Sequence, residues 1–423
     1  MSIELPDNGH QMPSILVAHP WMANGGSEAT AMWTLQALQD SARLVFTTAS
    51  SMDLDAMNAA YGTSVSPDRV SFVTAPSLPG VSSGHQMVYW QRAHFERHCR
   101  KLAPRFDVCI SAYNPIHFGK PGIQLIGDFS FSEKSRLMLY PNAEDRFCHR
   151  QSLLRRAYLI VGNLLHGWRQ PPYAERGDCA VANSFWTAER LEQLFRINTP
   201  PVLYPPSLLP DPPVDEMDQR RDPLGFVCLG RISPEKEIER IIGILDQVRQ
   251  AGRPVTLELV GAFGNDAYSR RIREMVEKRK FWIRTPGYLS PKEKTELFSR
   301  RTFAIHGCRV EAFGIAVAEM TAAGLIPIVP DAGGSGEIAH FRELRYASGA
   351  EGVRRILRLL DEPELIDSYR QKLIRHTAQF RPEAFVDGLR SIVAEFLGRS
   401  IHPEAAALPV PPRHVAEDHA ASH

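Results

Sequence analysis

The 423-residue chain has no long apolar run, no closely spaced pair of cysteines and almost no net charge. Its longest apolar stretch, from Ala157 to Leu165, is far shorter than the roughly 20 residues a membrane-spanning helix needs, so no bilayer crossing is expected. The six cysteines, at positions 99, 109, 148, 179, 228 and 308, form no CxxC pair. That spacing argues against a zinc site and a secreted disulfide framework, and it fits a reducing cytoplasm. A formal charge of +1 gives no general field to hold a polyanion, so nucleic acid is not an expected partner. Residues 1–12 carry Glu4, Asp7 and Asn8 and lack the basic start and apolar core of a signal peptide, so export by that route is not expected. No solenoid or propeller repeat is visible.

What is present is ordinary for a soluble fold: 43% hydrophobic and 23% charged residues. The length exceeds what one core usually supports, which predicts two domains and a cleft between them. Ser14 to His19 is an apolar run followed by Gly25-Gly26 and a helical stretch from Ser27 to Leu38. Further runs at 44–48, 70–73, 107–112, 123–126 and 179–182 read as strands, with helical segments between several of them. The pattern predicts a parallel sheet covered on both faces, over residues 1–205. A proline-rich linker is expected at 206–223. A second set of strands then begins at 225–229, 256–260, 282–285, 303–306 and 326–329, giving a second doubly wound domain over 224–384. An amphipathic helix over 385–400 is expected to pack back toward the first domain, and 401–423 to be disordered.

The segment Thr302 to Pro330 carries the chemistry. A strand leads through a loop holding Glu311 into a helix that starts near Gly314 and ends at Gly324. That helix is apolar on nearly every side, yet Glu319 sits in its middle. A carboxylate there is costly without donors, and ribose hydroxyls would supply two. Glu311 follows the carboxyl end of a strand, where open parallel sheets bind ligands. Spacing alone equally allows Glu319 to pair internally with an arginine and Glu311 to be a solvated loop acid.

The surrounding letters extend the case. Glu311-x-Phe313-Gly314, Glu319, Ala323-Gly324-x-x-Pro327, Gly333-Gly334 and Glu337 together resemble the signature of retaining glycosyltransferase family four, whose fold is GT-B. Ala322-Ala323-Gly324-Leu325-Ile326-Pro327-Ile328 resembles, more weakly, its branch of lipid-linked-oligosaccharide mannosyltransferases. The resemblance implies two Rossmann-like domains facing a central cleft, and transfer of a sugar from a UDP- or GDP-sugar to a hydroxyl acceptor. That acceptor would be a glycan, lipid-linked or small-molecule compound. It implies that Glu319 holds the donor ribose and that Glu311, with Phe313, Gly314 and Ile315, lies against the donor sugar.

Gly230-Arg231-x-x-x-x-Lys236 resembles the family element whose cations hold the donor diphosphate, a task that needs fixed positive charge but no metal or other cofactor. Gly25-Gly26 stand where the family has its glycine loop, at a helix N-terminus suited to a phosphate. One departure is informative. Many relatives carry a histidine after the strand Ile123–Ile126, where this chain has Gly127-Asp128. Asp128 either takes over a contact to a sugar hydroxyl or the acceptor nucleophile, or caps the next turn. His117 is a further candidate. Alternatives to transfer are a phosphorylase or sugar synthase of the same fold, and a non-catalytic nucleotide-sugar-binding scaffold.

Asp53-x-Asp55 superficially matches a metal-binding acid pair but reads as a helix start. The stretches Arg150 to Arg169 and Arg270 to Arg284 have the composition to meet an anionic membrane surface, and solvated helix faces are the favoured reading of both. Peripheral contact at the inner membrane face stays open.

Overall fold

The computed structural model describes residues 12–23, 25–78, 87–139, 152–167, 171–208 and 221–398. Most of the expected linker, the expected disordered tail, Asn24 and both ends of the Arg150–Arg169 stretch lie outside them.

The first sheet is built from β1 (Ser14–Ala18), β2 (Arg43–Thr48), β3 (Val70–Thr74), β4 (Val108–Ser111), β5 (Ile123–Ile126) and β6 (Cys179–Ala182), in the order β3-β2-β1-β4-β5-β6. All its pairings are parallel. Strands β1, β4 and β5 are buried along their whole length, as continuous apolar runs between two helical layers must be. The second sheet repeats the plan with β7 (Asp222–Leu229), β8 (Thr256–Val260), β9 (Ile283–Gly287), β10 (Arg301–Ile305), β11 (Ile326–Pro330) and β12 (Arg345–Tyr346), in the order β12-β11-β10-β7-β8-β9. The two-residue β12 is the strand the apolar runs did not announce.

Strand order decides where a ligand goes. Each sheet winds outward from its first strand in one direction, then returns and winds the other way. The loops after β1 and β4, and those after β7 and β10, therefore diverge to opposite faces and leave a crevice at the carboxyl ends. Helix signals follow local rules: Asp53 Oδ1 accepts from Ala56 N at 3.0 Å and caps the helix Leu54–Tyr61, and Gly62 closes it in the left-handed region at φ +62°.

The last helix, Pro382–Leu397, starts with proline at its first position and ends at Gly398 in the left-handed region. It leaves the second sheet and joins the core of the first, where Phe385, Leu389, Ile392 and Val393 cluster with Ile15, Met32 and Leu35. Arg390 Nε donates to Ala37 O at 2.8 Å across that contact. The chain thus passes between the sheets at two places. They lie side by side, because Ser207 N donates to Phe380 O at 3.0 Å.

Leu389 is fully buried. Leu389→Ala is expected to destabilise the chain by about 2–5 kcal/mol, read by urea denaturation monitored in the far-ultraviolet.

Candidate functional site

The loops from the two switch points meet around a cavity of about 570 Å3. From the first sheet come Gly25, Gly26 and Glu28 after β1, Tyr113 after β4 and Asp128 after β5. Arg231 and Lys236 after β7, and His306 and Glu311 after β10, face them from the second sheet.

Gly26 opens the helix Gly26–Leu38, and a Cβ there would stand 2.8 Å from Ile315 Cδ1, so the two sides approach as closely as glycine allows. Gly25 N donates to Tyr61 Oη at 2.9 Å, and Glu28 accepts from Ala23 N at 3.2 Å and Ser27 Oγ at 2.7 Å, which folds the loop on itself. Behind it, burial pushes the His19 imidazole down to about 4, with the Glu28 charge opposing, so this ring is neutral at ordinary pH.

On the facing side, Lys236 Nζ donates to the Glu311 carboxylate. His306 Nε2 lies 3.1 Å from Glu311 Oε2, and the imidazole is buried. Burial opposes charge on Lys236, but Glu311 outweighs it and the ammonium is held above its usual range. Burial also opposes charge on Glu311, and Lys236 with His306 overcome it, so the carboxyl stays well below the usual carboxylate range. Burial lowers His306 and Glu311 only partly offsets this. A charged pair beside a neutral ring results. Arg231 is the exposed cation of the site, 81% accessible in its side chain, with Glu235 at 3.5 Å.

The Glu311 loop is held from behind. Gly333 has φ +81°, and a Cβ on Gly334 would lie 2.2 Å from Ala312 O, so this turn fits against the loop only as glycine; Gly334 N donates to Glu311 O at 2.7 Å. Ser184 Oγ donates to Ala312 O at 2.5 Å from the first sheet's side. Glu337 reaches the other way, accepting from Phe185 N at 3.1 Å, Trp186 N at 2.9 Å and Tyr204 Oη at 3.1 Å. It therefore caps the helix Phe185–Phe195 across the cleft.

Residues 217–379 match the model of a family described as glycosyl transferases group 1. Over 255 residues the chain is 26% identical to a GDP-Man:Man(3)GlcNAc(2)-PP-Dol alpha-1,2-mannosyltransferase of Neurospora crassa, a match covering 51% of this chain and 46% of that protein. The matched region thus spans about half the length of that relative. HepE of Anabaena in complex with UDP and glucose superposes with a TM-score of 0.62 at 14% identity, covering 91% of this chain and 99% of that one. Sucrose-phosphate synthase from Thermosynechococcus elongatus does so with a TM-score of 0.68 at 14% identity, covering 91% and 99%.

The fold is GT-B.

Within the GT-B cleft, Gly25, Gly26, Arg231, Lys236, Glu311, Phe313, Gly314, Ile315 and Asp128 line one cavity. Glu319 stands outside that lining, with its Oε2 2.8 Å from Lys294 Nζ on the helix Pro291–Phe298. The apolar helix did require a partner for this carboxylate, and in this structure a lysine supplies it. Asp128 both faces the cleft and caps: its Oδ1 accepts from Asn114 Nδ2 at 2.7 Å, Ser130 N at 2.8 Å and Ser130 Oγ at 2.6 Å. Its charge, then burial, pushes the Tyr113 phenol up to about 12. His117 is not among the lining residues.

His306 and Glu28 are lining residues the sequence did not single out. The signal for His306 was its place at the carboxyl end of a strand whose loop was already suspected. His306, Cys308 and Glu311 each offer one metal-ligand atom within 4.8 Å of the others. Lys236 donates to that carboxylate, and burial pushes the Cys308 thiol up to about 12. No helix among the described residues is long and apolar enough to cross a membrane.

Lys236→Met leaves the half-buried Glu311 without its cation and is expected to cost about 1–3 kcal/mol at neutral pH. The wild-type Glu311 contribution is present above the unfolded carboxyl range and fades as pH falls. In the variant, burial raises the carboxyl instead, so stability is gained as pH falls. The deficit between the two should shrink from pH 7 to pH 4 in denaturant titrations.

Proposed function

We propose that the chain is a retaining glycosyltransferase of family four that moves a hexose-type unit from a UDP- or GDP-sugar to a hydroxyl acceptor in glycan or glycoconjugate synthesis. The observation that carries this reading is the placement of Arg231 and the Lys236–Glu311 ion pair opposite the Gly25-Gly26 helix start, in one cleft between two sheets.

The departing nucleoside diphosphate accumulates negative charge as the bond from its oxygen to the anomeric carbon breaks. Arg231, exposed in the cleft, and Lys236, held by Glu311, stabilise that charge together with the amides of the Gly26–Leu38 helix start. Glu311, kept ionised, accepts hydrogen bonds from donor-sugar hydroxyls and orients the ring. The acceptor oxygen bonds to the same face of the anomeric carbon, and its proton passes to the leaving phosphate oxygen. Asp128 orients the acceptor hydroxyl from the first domain. Glu319 exchanges Lys294 for the ribose hydroxyls when the donor enters. No metal has a part in this scheme. The name of the Neurospora relative makes GDP-mannose the first donor to test.

Arg231 is exposed, so Arg231→Ala separates chemistry from folding. It is expected to lower transfer about 10²- to 10³-fold without moving the unfolding midpoint. Nucleoside diphosphates should raise the apparent midpoint in proportion to their affinity, with either UDP or GDP dominant. Unchanged turnover in the Arg231→Ala variant, or no response to either nucleotide, overturns the reading. Sugar 1-phosphate release with free phosphate would assign a phosphorylase instead.

A further inference from the structure

The helix Leu153–His166 sits with its polar side inward and its apolar side outward, the reverse of an ordinary surface helix. Arg155, Tyr158, Gly162 and His166, spaced by three and four residues, share the inward side. Arg155 Nε and Nη2 donate to Glu133 at 3.0 and 2.7 Å, and its side chain is only 11% accessible. Tyr158 O accepts from Trp90 Nε1 at 2.8 Å and Tyr158 Oη from Tyr89 N at 2.9 Å, which docks the helix on its neighbour Val88–Leu102. A Cβ on Gly162 would stand 2.1 Å from the Tyr89 ring, so the two helices close there only around a glycine. His166 Nδ1 lies 3.4 Å from the buried Glu96.

The opposite side carries Leu153, Ala157, Ile160 and Leu164 at the same spacing, widened by Leu154 and Val161. All six are exposed; Leu153 and Leu154 are each 82% accessible, Ile160 50% and Leu164 52%. Met87 and Val88, also exposed, stand at the start of the neighbouring helix, next to the Tyr89–Tyr158 bond. Met138 is exposed on the helix Glu133–Leu139, whose first residue Arg155 holds. A stripe of large apolar side chains facing water is uncommon on a monomer and marks a surface that something covers. A solvated charged face was the favoured expectation from sequence, and the structure turns the other face out.

Charge selects the occupant. The helix has no acidic residue; Arg156 is exposed on it, and Lys134 is exposed on Glu133–Leu139. In sequence the helix lies within residues 146–174, which hold five arginines and no aspartate or glutamate. Apolar side chains accompanied by arginine match a surface whose interior is hydrocarbon and whose headgroups are anionic. A second copy fits less well, because an isologous contact over this helix brings like charges together. At 14 residues the helix is about 21 Å long, so it lies along a bilayer and does not cross it.

We propose that the exposed face of Leu153–His166 is a docking surface for an anionic lipid membrane. Leu153, Leu154, Ile160 and Leu164 enter the headgroup layer and Arg156 meets the headgroups. The surface stands on its own residues and is independent of what the cleft transfers.

The test sediments the full chain with vesicles of phosphatidylcholine mixed with phosphatidylglycerol, and with vesicles of phosphatidylcholine alone. Binding is expected to be about tenfold tighter to the mixed vesicles and to weaken as salt is raised. Leu153→Ser and Leu164→Ser are each expected to weaken it about tenfold, and Arg156→Gln about fivefold on the mixed vesicles alone. All three positions are exposed, so the unfolding midpoint should hold. Equal sedimentation of the wild type and the Leu153→Ser, Leu164→Ser double variant overturns the proposal, and equal binding to both vesicle types overturns the anionic assignment. If the double variant unfolds, Arg156→Gln decides, because undiminished binding of that variant to the mixed vesicles overturns the proposal. Sedimentation velocity without lipid covers the other occupants. A wild-type dimer that the double variant abolishes, with no vesicle binding, assigns the face to a second copy; neither dimer nor vesicle binding leaves it to a protein partner. Either result overturns the membrane surface.

Discussion

The pairing of the half-buried Lys236 and Glu311 is the interaction around which the cleft is organised. Each charge is largely withdrawn from water, so removing one partner leaves the other poorly compensated. The pair can form only if the loop after β7 lies beside the loop after β10, and the strand order β10-β7 at the centre of the second sheet provides that. The glycines at 333 and 334 then let a turn press against the back of the Glu311 loop, and His306 fills the remaining side as a neutral ring. The sheet's topology and the electrostatics of the site therefore express one constraint.

Much of the fold was legible because buried parallel strands are short apolar runs and helix ends carry local signals. β12 was not, since two residues hold no period. Strand order was not legible either: the runs announce strands but not which pair, and pairing decides which loops converge. At the site, Glu311, Arg231, Lys236 and the glycine loop were read from spacing and resemblance, and they do share a cavity. The partner of Glu319 was open in the sequence because Lys294 lies 25 positions away on another helix. Asp128 had two competing readings, a cap or a cleft contact. The structure shows that it caps and also lines the cleft, because one oxygen serves the turn while the residue stays at the edge of the cavity.

The two sides of the cleft are joined by more than the ligand they would share. Glu337 caps the first-domain helix Phe185–Phe195, and Ser184 bonds back to Ala312, one residue from Glu311. The contact surface is thus continuous with the Glu311 loop. Burial pushes the Glu337 carboxyl up, while the two amides and Tyr204 work against that. Its protonation therefore bears on how firmly the sheets are held together as well as on the stability of either one.

The paired chain crossings have a mechanical meaning. A domain joined by one strand can swivel about it, whereas two strands bonded to each other at Ser207 and Phe380 resist torsion as a ribbon does. Tied at that point, the two crossings form one seam, so a change in either is felt at the same edge of the cleft.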